Sequence, residues 1–226
     1  MENLNFSLLS ENETKIDISF KVIIIGDCGV GKSSISLKAT KNQFLEQYKT
    51  TIGFEFFIFN IKINNLNINL QIWDTCGQET FKSLISNFYK NSSLAIIVYA
   101  IDNINSFNNI NMWIKDLKQF SNPNIKIILI GNKNDLNDKR VIQFEKGKEF
   151  SKDYNFDLFF ETSAKNGFNV KNVFIDAAKI LYLEYMEYVN IKTNLIKEKK
   201  IVIHKKENGN EDERNKKNVV CNNFVI

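Results

Sequence analysis

The chain has 226 residues, 43% hydrophobic and 25% charged, which is enough apolar matter for one substantial core and too ordinary a charge content for wholesale disorder. The net charge of +4 is carried by residues 191–226, where nine Lys or Arg stand against five Asp or Glu; residues 1–190 are balanced and show no dense basic run, so a nucleic-acid partner is set aside. Three scattered cysteines, Cys28, Cys76 and Cys221, form neither a disulfide framework nor a CxxC metal pair, as expected in a reducing, cytosolic setting.

In chain order, residues 1–17 form a polar extension without the basic lead and apolar run of a signal peptide. No later stretch has the roughly eighteen apolar residues of a membrane span. Residues 18–190 alternate strand-length apolar runs with helical spacing, the pattern of an α/β domain with a mostly parallel sheet. The strands are placed at Phe20–Ile25, Phe54–Ile63, Ile68–Trp73, Leu94–Ala100, Ile125–Ile130 and Leu158–Thr162. Asn64-Asn65 tolerates positive φ and joins the second and third as an antiparallel hairpin. That gives six strands, one of them antiparallel, with about five flanking helices. One helical stripe, Phe107, Ile110, Trp113, Ile114 and Leu117, follows a Ser106 or Asn105 cap, and another holds Val170, Val173, Phe174, Ala177, Ile180 and Leu181. Both read as core packing. Clustered asparagines (INNLNINL, NINSFNNIN) read as compositional bias. Residues 191–226 are too charged to pack and read as a disordered tail, with His204 solvated in it.

Five short segments carry chemistry. Gly26–Ser34 (GDCGVGKSS) lies between a strand and a helix and fits G-x-x-x-x-G-K-[ST]. Its glycines let backbone N–H groups of Cys28, Gly29, Val30, Gly31 and Ser34 wrap a diphosphate, Lys32 reaches the outer phosphates and Ser33 ligates Mg2+. At the end of the fifth strand stands GNKND, with Asn132, Lys133 and Asp135. The Asp135 carboxylate can accept from the ring N–H and exocyclic amine of guanine, an edge adenine lacks. ETSAK then offers Ser163, Ala164 and Lys165 to the guanine carbonyl. WDTCGQE closes the third strand: Asp74 faces the metal through water, the Gly77 N–H meets a γ-phosphate and Gln78 orients the attacking water. Thr51 can reach the metal when a third phosphate is present, as a switch loop requires.

These segments, in this order, resemble the Ras superfamily and within it the Rab family, over about residues 18–188; TIGFEF, NLQIW, FKSL and FYKN carry the narrower likeness. The resemblance implies a P-loop GTPase fold and a cycle between GDP-bound and GTP-bound states with Mg2+. It implies slow intrinsic hydrolysis, an exchange factor, an activating protein supplying an arginine, effectors, a prenyl-dependent escort, and a monomer acting in vesicle traffic on the cytosolic face of an endomembrane. By resemblance, Phe44 stacks on the guanine, Tyr48 borders the nucleotide, and Ile52 with the aromatic triad Phe56, Trp73 and Phe88 forms the effector surface. Departures are Cys28 in the phosphate loop, Cys76 and Thr80 around Gln78, and Ala100 in place of an aspartate.

Two other readings compete. A P-loop kinase or ATPase has no use for Asp135 and the SAK loop. A nucleotide-binding module without hydrolysis draws on Cys28 and Cys76, both beside the γ-phosphate position. The end of the chain, CNNFVI, places Asn223 where a C-a-a-X signal needs cysteine, and Glu2 stands where myristoylation needs glycine. The expectation is a single lipid on Cys221, aided by Lys197, Lys199, Lys200, Lys205 and Lys206, giving weak peripheral membrane association; an unmodified thiol is the alternative.

Overall fold

The computed structural model describes residues 4–9, 15–46, 51, 53–75 and 88–207, with side chains to residue 194. Strands β1 (Phe6–Leu8), β2 (Ile18–Ile25), β3 (Phe54–Ile63), β4 (Leu66–Thr75), β5 (Leu94–Ala100), β6 (Lys126–Asn132) and β7 (Leu158–Glu161) form one sheet in the order β1-β3-β4-β2-β5-β6-β7. All neighbouring pairs are parallel except β1·β3 and β3·β4, so β3 alone runs against the rest. Helices α1 (Lys32–Lys41), α2 (Ile104–Asn108), α3 (Ile110–Phe120), α4 (Phe144–Asp153) and α5 (Val170–Glu207) make the crossovers and the final cover.

All seven residues of β5, LAIIVYA, are buried, because β5 is central and covered on both faces; such strands read as continuous apolar runs. One core gathers Val22, Ile24, Ile35, Ile96 and Ile130 with Val173, Phe174 and Leu181 of α5. The other gathers Ile23, Ile97, Tyr99 and Leu129 with Phe107, Trp113 and Leu117 of α2 and α3. Each fully buried side chain of this size contributes about 1.5–3 kcal/mol relative to exposure. The hairpin turns at Asn64, which takes φ 51°, and its amide donates to the Tyr182 hydroxyl at 2.9 Å, tying the turn to α5.

The structure differs from the sequence expectation in three places. The sheet has a seventh strand, because residues 6–8 of the polar extension pair antiparallel with Ile61–Ile63. Three residues are too short for a period to show, and Lys179 over the Phe6 ring (4.8 Å) helps hold them. The helix expected after a Ser106 or Asn105 cap is two helices meeting at Asn109, and the cap is Asn103, whose side chain accepts from the Ser106 N–H at 3.1 Å. Ser106 is drawn inward instead: its hydroxyl accepts from the Ala100 N–H (3.1 Å) and donates to the Asn103 carbonyl (2.7 Å). Finally, α5 does not stop at Asn190 but continues to Glu207. Residues 191–207 hold six Lys, a good helix former, and they extend an existing helix without a nucleation cost.

Candidate nucleotide site

The phosphate loop leaves β2 at Gly26 and enters α1 at Lys32. Gly26 has φ +140°, and a Cβ there would lie 2.2 Å from the Val98 carbonyl oxygen, so no other residue fits between loop and β5. Gly31 has φ +96°, and a Cβ there would lie 2.4 Å from the Asn132 amide nitrogen. That open space lets Asn132 donate to the Val30 carbonyl at 2.8 Å, which fastens the loop to the end of β6. Lys32 folds back over the loop, its ammonium donating to the carbonyls of Gly26 and Asp27, both at 2.8 Å.

Behind this loop Ser33, Thr51 and Asp74 converge. The Ser33 hydroxyl lies 2.8 Å from that of Thr51 and donates to the Asp74 carboxylate. Asp74 is fully buried, and its Oδ1 has no hydrogen-bond partner among the described residues. Burial raises its carboxyl to about 7, against the opposing pull of the Ser33 hydrogen bond and the Lys32 charge, with Glu55 adding to the rise. Two hydroxyls and a buried carboxylate with a spare oxygen are the hard donor set that suits Mg2+, so the residues present fit that ion.

The base side is built from the ends of β6 and β7. Lys133 takes φ 70° and starts a six-residue 3-10 turn, Asn134–Lys139, that presents Asp135. The Ser163 hydroxyl donates to the Asp135 carboxylate. Asn132 Oδ1 accepts from the Thr162 hydroxyl (3.0 Å) and the Ala164 N–H (3.3 Å), while its amide holds the phosphate loop; one side chain therefore joins three loops. Between them lies a cavity of about 520 Å3. Of the residues singled out from the sequence, it is lined by Cys28, Gly29, Gly31, Lys32, Ser33, Ser34, Phe44, Thr51, Asn132, Lys133, Asp135, Ala164 and Lys165. Gly26, Val30 and Ser163 support it from behind. Cys28 is exposed at its wall. Tyr48, Ile52, Cys76, Gly77, Gln78, Thr80 and Cys221 lie outside the described residues, as do the side chains of the tail lysines.

Sequence reasoning missed three groups. Leu45, Glu46 and Leu136 also line the cavity and lie outside every motif, while Thr75 lines it from within WDTCGQE, where the sequence reading gives it no role. The Asp27 carboxylate is held by Trp113 Nε1 (2.9 Å) and the Asn109 amide (2.7 Å), although Trp113 reads as plain core from its helical spacing. Glu161 accepts from Arg140 and Asn134, joining both ends of the Asp135 turn to β7.

Away from the cavity, Trp73 meets Phe56 (5.3 Å between ring centroids), Phe88 (5.5 Å) and Phe54 (5.2 Å), with Phe54 and Phe56 about half exposed. Phe54, which the sequence left out of the triad, also contacts Phe88 at 4.8 Å. Lys21 stands 5.2 Å over the Trp73 ring and donates to the Lys90 carbonyl, its pKa lowered by burial. The result is an aromatic ledge on the outer face of β3 and β4.

A strand-loop-helix phosphate cradle beside a paired NKND and SAK corner, on a sheet with one reversed strand, is the fold of a P-loop GTPase. The Ras family model matches residues 21–183, more than half of the chain, and the protein belongs to that family of small GTPases. Members bind GTP and GDP with Mg2+ and act through regulators and effectors.

Proposed function

We propose that the protein is a Rab-like switch that binds GDP and GTP, hydrolyses GTP slowly by itself, and controls intracellular membrane traffic through effectors. The observation that carries this reading is the continuity of the cavity: phosphate-loop Gly31 and Lys32 and base-reading Asp135 and Ala164 line one space, fastened together by Asn132. A diphosphate against α1's N-terminus puts a purine on Asp135, between Phe44 and Lys133. Ser33, Thr51 and Asp74 would hold Mg2+, which neutralises phosphate charge when bound. Thr51 links the metal cluster to the loop before β3, so the presence of a third phosphate is read by the strand that carries Phe54 and Phe56. Gln78 orients water in this scheme, and Gly77 senses the γ-phosphate.

The aromatic ledge of Phe56, Trp73 and Phe88, with Ile52, is the effector surface in this reading. Exchange factor, activating protein and escort are the further partners, and a lipid on Cys221 gives weak attachment to the cytosolic face of an endomembrane. A second reading, nucleotide binding without turnover, is favoured by one observation: Cys28 projects at the cavity wall where the family's small residue would leave room.

Nucleotide extracted from the purified protein, followed by single-turnover hydrolysis of loaded GTP with and without activator, tests both. Bound guanine nucleotide and phosphate release accelerated by activator are expected. Bound adenine nucleotide overturns the first reading, and stable GTP under every activator selects the second. Fractionation of Cys221→Ser beside the parent tests attachment; equal partitioning removes the lipid.

A further inference from the structure

Asp135 sits in a soft element. Its turn is a single short 3-10 segment in which Leu136 leaves helical geometry (φ −94°, ψ 38°), and the carboxylate is exposed to the cavity. Such a turn does not by itself fix an acceptor to the tolerance that base recognition needs, so something outside it must. The two residues that flank the turn's working part bind the same carboxylate. Arg140, at its C-terminal end, makes a fork to Glu161, Nη1 at 2.6 Å and Nη2 at 2.8 Å. Asn134, at its start, donates to the same group at 2.7 Å. Arg140 also donates from Nε to the Asn137 side chain within the turn (2.8 Å) and from Nη1 to the Ile142 carbonyl (2.9 Å). Glu161 is in register with Gly131 on β6 and lies two residues before Ser163, the donor to Asp135. The Arg140 and Glu161 side chains are 11% and 5% exposed, so water competes little for the contact.

We propose that Arg140, acting through Glu161 and Asn134, is a positioning residue for purine selectivity: the fork clamps both ends of the Asp135 turn to the end of β7, two residues before Ser163. This rests on the reading of the cavity as a guanine-nucleotide site. Neither Arg140 nor Glu161 lines the cavity, so the effect runs through Asp135. The planar fork supplies geometry that a lysine cannot reproduce. The clamp is therefore expected to govern how well the site tells guanine from a purine lacking the 2-amino group, more than how tightly it holds phosphates.

The test compares GDP with inosine diphosphate, which lacks that amine, by competition in the parent, Arg140→Lys and Glu161→Gln, with xanthosine diphosphate as a third probe. The parent is expected to prefer GDP over inosine diphosphate by about tenfold or more, the effect of one hydrogen bond to a charged acceptor. In both variants that ratio is expected to fall toward one, with Arg140→Lys behaving like Glu161→Gln although it keeps the charge. Equal weakening for all nucleotides with the ratio kept makes the fork a structural contact only and overturns the proposal. A parent that does not favour GDP over either probe overturns the guanine reading itself, a result distinct from selective variants in a selective parent. Glu161→Gln is nearly isosteric and serves if Arg140→Lys does not fold.

Discussion

The indole N–H of Trp113 on α3 donates to the carboxylate of Asp27 in the phosphate loop at 2.9 Å, so a residue of the hydrophobic core and a residue of the phosphate cradle share one bond. Asp27 also offers its carbonyl to Lys32, which makes α3 a support for the lysine. Replacing Trp113 with Phe keeps an aromatic ring in the core and removes the donor. Nucleotide dissociation is expected to accelerate by roughly tenfold, the effect of one hydrogen bond to a charged group. Asn109→Ala removes the second donor from an exposed position, and should speed dissociation without lowering the unfolding temperature appreciably. Unchanged dissociation in both variants, followed by stopped-flow fluorescence, would show that Asp27 needs neither.

Asp135→Asn turns a carboxylate acceptor into an amide that can donate. GDP affinity is expected to drop by about 3 kcal/mol, the combined effect of two charge-assisted hydrogen bonds, while xanthosine diphosphate gains. Competition binding of both nucleotides checks the exchange of preference.

If Gln78 acts on water and not on the ground-state phosphates, as proposed, Gln78→Leu is expected to leave GDP and GTP affinity near the parental values and to abolish activator-stimulated hydrolysis. Ser33→Asn should weaken GTP more than GDP by disturbing the cluster of Ser33, Thr51 and Asp74. Single-turnover phosphate release and equilibrium binding separate the two effects.

Asp74 gives a pH prediction for the metal-free, nucleotide-free protein. Burial raises its carboxyl from an ordinary 3.8 to about 7, so the folded value lies above the unfolded one. The stability contributed by the uncharged acid is complete below about pH 4 and declines as pH rises through about 7. Unfolding temperatures in chelator are expected to fall over that window, and Asp74→Asn should remove this part of the slope. Mg2+ requires the carboxylate, so its addition near neutral pH is expected to release protons, measurable by titration in weak buffer.

The sheet was legible because its strands are apolar-rich, continuously so in Leu94–Ala100 and with alternating burial in Phe54–Ile63; these coincide with β5 and β3, and Asn64-Asn65 marks the turn between β3 and β4. The nucleotide motifs were legible for the same local reason, since each is contiguous and adjoins a strand end. What the sequence hid was non-local. The links from Trp113 to Asp27 and from Arg140 to Glu161 span 86 and 21 residues, and each pairs a side chain of one loop or helix with a carboxylate elsewhere. Spacing cannot announce such bonds. β1 was hidden by brevity, since Phe6–Leu8 takes its order from the edge of β3 and from nothing within itself.

Helix α5 outruns the domain it closes. Its last residue packed against the core is Met186, yet the helix is unbroken to Glu207, which by helical rise stands roughly 30 Å further on. The chain therefore leaves the GTPase body as a continued helix, along the axis of α5. A partner gripping the helix near Glu207 would take its bearing from the axis of α5. A proline placed at Lys192 would break that bearing while leaving every contact of the cavity untouched.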